Sequence, residues 1–469
     1  MLRIHDTMAG HKVDFTPRTP GQVSMYVCGP TVYDVPHLGH GRAALVFDVI
    51  RRYLQWRGYS VTYVSNVTDI DDRIIARAAE SGSTEPELAE RFTEAYWAEL
   101  DRLGVARPDE VPHATSFVDR MQELIGELVE RGAAYVIEGE GVYFSVDGFP
   151  GYGELSHRRA EDLVEGAGAR VAVEERKRSP LDFALWKAAK PGEPRWKSPW
   201  GPGRPGWHIE CAAMSLEILG EGFDLHGGGD DLVFPHHENE RAEAEAAGHR
   251  FARYWLHNAM VNVGGEKMSK SLGNFTNLSD AIDAVGPRAF RLAVLRAHYR
   301  TQIELGRDAL DDASRAIERL DALARRAVAI QRSDARDEPL IEQFRTAMDD
   351  DFATHRALAA IFDGVTEANQ AVDAGDTTRA SVLLGTLPEL LDVLGIPPQV
   401  YAQGEAGIKV IAAGEGEVSD DEGEIEAMVR AREQARVARD FTEADRIRDE
   451  LAERGVKVED TAQGPVWRR

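Results

Sequence analysis

Three groups of residues in this sequence are suited to chemistry. The first is built to meet phosphate: His37-Leu38-Gly39-His40 and, far downstream, Lys267-Met268-Ser269-Lys270-Ser271. Two ammonium groups on a glycine-flanked loop, with Gly264-Gly265 before them and Gly273 after, can cover a triphosphate and neutralise the charge that gathers as pyrophosphate departs. His37 and His40 can donate hydrogen bonds to phosphate oxygens, and the bare Gly39 lets a nucleotide approach closely. The second group is soft and suited to a metal. Cys28 and Cys211 are the only cysteines, and each sits in its own motif. With an imidazole and a carboxylate from Pro235-His236-His237-Glu238-Asn239-Glu240 they make the donor set of a tetrahedral zinc ion. On a helix begun by Pro235, His236 and Glu240 stand one turn apart, and His237 with Glu240 is nearly as good, so spacing leaves both histidines in play. The third group is polar and aromatic, Thr68, Trp207, His226 and Asp231, lying close in sequence to the first two.

These side chains need elements to position them. Val23-Ser24-Met25-Tyr26-Val27-Cys28 alternates as a strand, and Gly29-Pro30 breaks it. From about Gly41 to Trp56, Leu45, Val49, Ile50, Tyr53 and Leu54 then fall on one helical face. The histidine pair is thereby placed on a strand-to-helix loop, where unpaired backbone N–H groups and the positive end of the helix dipole favour an anion. Tyr59 to Val67 reads as a second strand, and Thr68-Asp69-Ile70-Asp71-Asp72-Arg73 runs into another helix. Two such units in succession predict a parallel, Rossmann-like sheet with ligands at the carboxyl ends of its strands. Thr68 and Asp69 are placed there either to line a pocket or to cap the next helix.

Together, the histidine and lysine segments resemble the two signature motifs of the class I aminoacyl-tRNA synthetases. The sequences around Cys28, from Trp207 to Cys211, from Phe234 to Glu240 and at Asn66-Val67-Thr68-Asp69 further resemble the cysteinyl-tRNA synthetases. That resemblance implies that Cys28, Cys211, His236 and Glu240 hold one zinc ion, which binds the sulfur of the substrate cysteine. It implies ATP with Mg2+ as co-substrate, cysteinyl-adenylate as intermediate, and the terminal ribose of tRNA(Cys) as acceptor. His37, Gly39 and His40 would meet the nucleotide, and Lys270, with Lys267 second, the departing pyrophosphate. Thr68, His226 and Asp231 are candidates for the amino-acid pocket, while Trp207 either closes over the side chain or packs as a core indole. A metal suits the task, because a hydrophobic pocket separates cysteine from serine poorly, whereas a site built on one strong bond rejects a substrate unable to make it. A ligase that passes cysteinyl-adenylate to an amino-sugar, as in mycothiol synthesis, would share every one of these motifs. The segment Asp440 to Leu451, similar to the family's anticodon-reading module, distinguishes the two.

The 469 residues leave room for several domains. The expected organisation is an α/β catalytic domain split in two, its first half at 1–111 and its second at 203–255. A connective insertion rich in Gly, Pro and charge occupies 112–202, and a stem-contact region with the lysine loop occupies 256–320. An all-helical bundle at 321–402 follows, announced by the stripe Leu310, Ala313, Ile317, Leu320 and Leu323; then come an acidic, Gly-rich linker at 403–424 and a small α/β module at 425–469. Two distant cysteines exclude a disulfide scaffold, and with no apolar leader or membrane-length run the expectation is a reducing cytoplasm, no membrane and a monomer. A net charge of −25 looks wrong for an RNA partner. Phosphate binding needs only local positive charge, however, and Arg51-Arg52, Arg158-Arg159, Arg325-Arg326, Arg468-Arg469 and the arginines from Arg430 to Arg448 form basic clusters.

Overall fold

Strands Gln22–Val27, Ser60–Ser65, Leu225–Gly229 and Tyr254–Asn258 form the sheet that positions the site. All pairings are parallel, in the order Tyr254–Asn258, Leu225–Gly229, Gln22–Val27, Ser60–Ser65. Residues 109–114 continue the sheet beside Ser60–Ser65, with Asp109 N–H donating to Tyr63 O at 2.8 Å and Val67 N–H to Pro112 O at 2.9 Å. Strands covered on both faces must be apolar on both, and Val23, Met25, Tyr26, Val27, Val61, Tyr63 and Val64 are all buried. The expected Rossmann-like α/β fold is present. Its winding reverses between Gln22–Val27 and Leu225–Gly229, which opens a crevice at the carboxyl ends of those two strands.

The computed structural model describes residues 1–158, 176–262, 277–327, 330–404, 407–412, 422–438, 440–454, 456–461 and 464–468. They divide into two compact units, Met1–Ser314 with Phe344–Leu358, and Arg315–Gln343 with Ala359–Arg469. In the first unit, helix Leu38–Trp56 connects two sheet strands and buries all five apolar residues that periodicity assigns to one face. It starts three residues earlier than that pattern suggests, because His37 caps it. Helix Val118–Glu130 and an antiparallel sheet of Ala134–Ile137, Gly141–Phe144, Phe183–Ala188 and Gly203–Pro205 interrupt the parallel sheet in sequence. This insertion shares one core with the parallel sheet: Leu124, Leu128, Phe144 and Trp186 belong to the same apolar cluster as Tyr26, Ile209 and Trp255.

Downstream the chain is helical over Arg307–Arg326, Glu338–Asp349, Thr354–Ala374 and Thr377–Val393, and the stripe from Leu310 to Leu323 is buried. In the second unit, helices Glu422–Val437 and Phe441–Glu453 close on Ile425, Val429, Ile447 and Leu451. Strands Lys457–Thr461 and Gly464–Arg468 form an antiparallel hairpin. The linker expected over 403–424 needs correction. Gln399–Gly404 and Gly407–Ala412 pair as an antiparallel hairpin, and the latter runs parallel to Gly464–Arg468. Counting glycines and acids over the whole stretch hides the β-branched Ile408, Val410 and Ile411 that favour a strand. No helix among the described residues is long and apolar enough to cross a membrane.

Candidate active site

Cys28 follows directly on strand Gln22–Val27, while Cys211 lies on helix Trp207–Leu219. Glu240 lies on helix Glu238–Ala246, and His236 lies just before that helix. Phe234 is extended (φ −139°, ψ 130°), and from Pro235 the helical backbone runs through His237 into helix Glu238–Ala246, so His236 and Glu240 stand one turn apart. One ligand atom from each of Cys28, Cys211, His236 and Glu240 lies within 4.8 Å of all the others. Cys28 Sγ is 3.6 Å from His236 Nε2 and 3.5 Å from Glu240 Oε1, and His236 Nε2 is 3.0 Å from Glu240 Oε1. A tetrahedral zinc ion, with bonds of about 2.0–2.3 Å, sets its ligand atoms roughly 3.3–3.8 Å apart, so the residues present fit that ion. His237 Nε2 lies farther from Glu240 Oε1, at 3.9 Å, and His237 Nδ1 is 2.7 Å from His257 Nε2.

The electrostatics of the group are those of a cation site. Burial works against charge on His236, yet Glu240 and Cys211 outweigh it and raise the imidazole to about 10. Burial also opposes the Cys211 thiolate, but hydrogen bonding from Cys28 and His236 pulls that thiol below its ordinary range. Burial and the neighbouring Cys211 push the Cys28 thiol up. A thiolate and a carboxylate thus surround a proton on His236, which stands where a metal cation would place positive charge.

His37 is exposed at the start of helix Leu38–Trp56, and its ring stacks on His40 with centroids 3.8 Å apart. His37 Nδ1 accepts from Gly39 N–H at 3.1 Å and His40 N–H at 3.4 Å, and His40 Nδ1 accepts from His37 N–H at 3.2 Å. This reciprocal cap occupies the first N–H groups that the sequence reading left open for an anion. With both Nδ1 atoms accepting, neutral rings carry their hydrogens on Nε2, where they can be donated outward. Burial and the neighbouring His37 lower His40 to about 3. A Cβ on Gly39 would meet His37 Cε1 at 2.9 Å, so the glycine first of all makes room for the His37 ring.

The remaining predicted residues divide. Trp207 opens its helix, and its ring stacks on His236 with centroids 4.3 Å apart, forming one wall of the metal group. Asp231 is exposed on the turn after strand Leu225–Gly229, close enough to His37 to favour charge on it, although desolvation of the stacked His37 ring prevails and lowers that histidine. His226 is wholly buried with Nε2 2.8 Å from Glu240 Oε2, so it holds the carboxylate instead of lining a cavity. Thr68 is buried too, donating to Glu210 Oε2 at 3.0 Å and accepting from Asn66 Nδ2 at 3.3 Å. Neither Thr68 nor Asp69 caps the next helix; Asp71 does, accepting from Arg73 N–H at 3.0 Å. Asp69 instead accepts from Thr115 N–H at 2.9 Å. Lys267 and Lys270 lie outside the described residues.

Sequence reasoning missed several groups. His208 Nδ1 lies 2.9 Å from His236 Nδ1, and burial holds His208 well toward its neutral form. Asn66 Oδ1 accepts from Gly29 N–H at 2.9 Å and lies 3.7 Å from Cys211 Sγ. His257 bridges His237 and Thr7 Oγ1 at 2.7 Å each. The one available signal is the spacing of His208 and Cys211, three residues apart on one helix face.

Residues 14–315 match the family described as tRNA synthetases class I (C) catalytic domain. Residues 343–398 match the DALR domain, and residues 420–468 the cysteinyl-tRNA ligase anticodon binding domain. The cysteine–tRNA ligase of Halorhodospira halophila is 51% identical over 475 residues, spanning 100% of both chains. That of Alkalilimnicola ehrlichii is 49% identical over 474 residues, again spanning 100% of both. Among solved structures, methionyl-tRNA synthetase of Mycobacterium tuberculosis with methionyl-adenylate shares the fold at TM-score 0.59 and 16% identity, over 80% of this chain and 90% of that one. Full-length similarity at half identity, a class I catalytic domain and a matching anticodon-binding domain converge, and the chain belongs to the cysteine–tRNA ligase family of class I synthetases.

Proposed function

We propose a division of labour among these residues for the activity of the family, the ATP-dependent ligation of cysteine to tRNA. The observation that carries it is the convergence of Cys28, Cys211, His236 and Glu240 within 4.8 Å, at the end of a sheet strand beside the winding reversal. These four residues would hold one zinc ion, with His226 fixing Glu240 and His208 fixing His236. Such an ion supplies a soft Lewis-acid position that accepts the sulfur of cysteine and discriminates against the hydroxyl of serine. Trp207 walls the side-chain position, and Asp231, on the exposed turn, faces the substrate's amino group.

His37 and His40, neutral and donating from Nε2, orient the phosphates of MgATP so that the cysteine carboxylate attacks the α-phosphorus. Pyrophosphate leaves as Lys270, and secondarily Lys267, neutralise its charge. The ribose hydroxyl of tRNA(Cys) then attacks the carbonyl carbon of cysteinyl-adenylate and AMP departs, so no covalent protein nucleophile is needed. Residues 420–468 favour tRNA over an amino-sugar as acceptor, because they match an anticodon-binding domain. A monomer working in the cytoplasm completes the reading. Cys211→Ser should lose both bound zinc and cysteine-dependent exchange of pyrophosphate into ATP, with circular dichroism unchanged. A fully active, zinc-free protein would overturn the assignment.

A further inference from the structure

The described residues on either side of the lysine segment both rest on the helix that carries the histidine pair. On the leading side, Arg42, only 1% exposed, donates to Met260 O at 2.8 Å, Tyr299 O at 3.0 Å and Thr301 O at 2.5 Å. Two of these carbonyls already accept backbone hydrogen bonds, Met260 O from Ile303 N–H at 3.3 Å and Tyr299 O from Ala259 N–H at 2.9 Å. The guanidinium therefore fastens together the two chain segments that pair as Val261–Asn262 and Ile303–Glu304. Burying a guanidinium on neutral carbonyls is costly, and burial pulls Arg42 down to about 10 despite the favourable charge of Asp230. Fastening these two chain segments explains a residue that folding alone would disfavour.

On the trailing side, Leu278 N–H donates to Pro36 O at 3.0 Å, and Asn277 forms an antiparallel bridge with His37. Leu278 is fully buried, and a Cβ on Gly41 would lie 2.5 Å from its Cδ1. Gly41 is thus bare where Leu278 must lie. His40, Gly41 and Arg42 are consecutive residues on one helical turn. One rigid element consequently sets the histidine pair and both flanks of the segment, from Asn262 to Asn277, that contains Lys267 and Lys270.

We propose that Arg42 and Gly41 are positioning residues for adenylate formation, which hold the two flanks of the lysine segment at a fixed place relative to His37 and His40. The proposal rests on the reading that Lys267 and Lys270 act on the phosphates. Misplacing a reacting or stabilising group by 1 Å can slow a reaction by about a hundredfold, so a buried fork on the flank of the lysine segment has a rate to protect.

A double-mutant cycle tests it, with single-turnover formation of cysteinyl-adenylate as readout. Arg42→Lys keeps the charge but cannot reach three carbonyls. It should slow the step by about tenfold or more, with zinc content and the KM for cysteine little changed. In the Lys267→Ala/Lys270→Ala background the same change should matter less than about twofold, because there is no longer anything to position. Losses that multiply across the cycle would make Arg42 merely structural and overturn the proposal. Should the paired lysine change by itself leave the rate intact, the reading of the lysines fails, and the proposal with it. If Arg42→Lys does not fold, judged by zinc content and Tm, Leu278→Ala loosens the other flank and is put through the same cycle with the same criteria.

Discussion

His208 and His236 meet through their Nδ1 atoms, 2.9 Å apart, so a single hydrogen lies between them when both rings are neutral. If His208 accepts it, His236 donates from Nδ1 and keeps the Nε2 lone pair for a metal, the arrangement by which an outer ligand sets the tautomer of an inner one. His208→Ala should weaken zinc binding by about 10–100-fold, measured by competition with a chromogenic chelator. Unchanged affinity would reduce His208 to packing against Phe183, whose ring centroid is 5.6 Å away. At this scale, side-chain chemistry separates what a sequence reveals from what it hides. Cys28, Cys211 and Glu240 stand out by residue type and motif. Asn66 and Glu210 do not, because a buried amide or acid has no periodic signature, and its role exists only once strand Ser60–Ser65 and helix Trp207–Leu219 are brought together.

The helix Leu38–Trp56 does two things at its first turn, because His37 is at once its cap and a candidate phosphate ligand. These roles use different atoms and can be separated. His37→Ala should lower stability by about 1 kcal/mol, the usual worth of a lost N-cap, and should slow adenylate formation as well. His37→Asn offers a side-chain oxygen to the same N–H groups and should restore the urea midpoint without restoring the rate. Recovery of both would show that the imidazole is not needed at the nucleotide. The helix itself is legible from its apolar spacing, and so is the parallel sheet, because both follow from period and order. What the pattern does not show is the short helical turn Asp230–Leu232 that precedes the extended Phe234. The hairpin Gln399–Gly404 with Gly407–Ala412 was obscured by averaging composition over twenty-odd residues that change character midway.

At the scale of the whole chain, an acidic protein must bind a polyanion through local patches. The 420–468 region is rich in arginine, but several of those side chains already pair with acids: Arg446 with Glu443 and Glu450, and Arg448 with Asp445 and Asp449. Binding tRNA there requires some of these exposed, weak pairs to exchange partners, an easy step for surface salt bridges. Ending the chain at Gly423 should leave cysteine-dependent pyrophosphate exchange intact while charging of tRNA falls. The intact protein's affinity for tRNA should also decline linearly on a log–log plot against salt. Undiminished charging by the shortened chain would refute a role for these residues in tRNA binding.

The order in which the sheet strands occur in the sequence also has a consequence for synthesis. Gln22–Val27 lies beside Leu225–Gly229, so the crevice between them cannot form until roughly half the protein has emerged, and Glu240 follows later still. At about 5–20 residues per second, Cys28 waits on the order of 10–40 s for its full set of partners. A ribosome stalled inside the insertion would release a fragment carrying the histidine pair but lacking three of the four proposed zinc ligands. Such a fragment could offer a nucleotide its first loop yet would have no means of preferring cysteine to serine. A chain halted there lacks the lysines as well as the selector, and synthesis stopped within the insertion yields an inert product instead of an error-prone one.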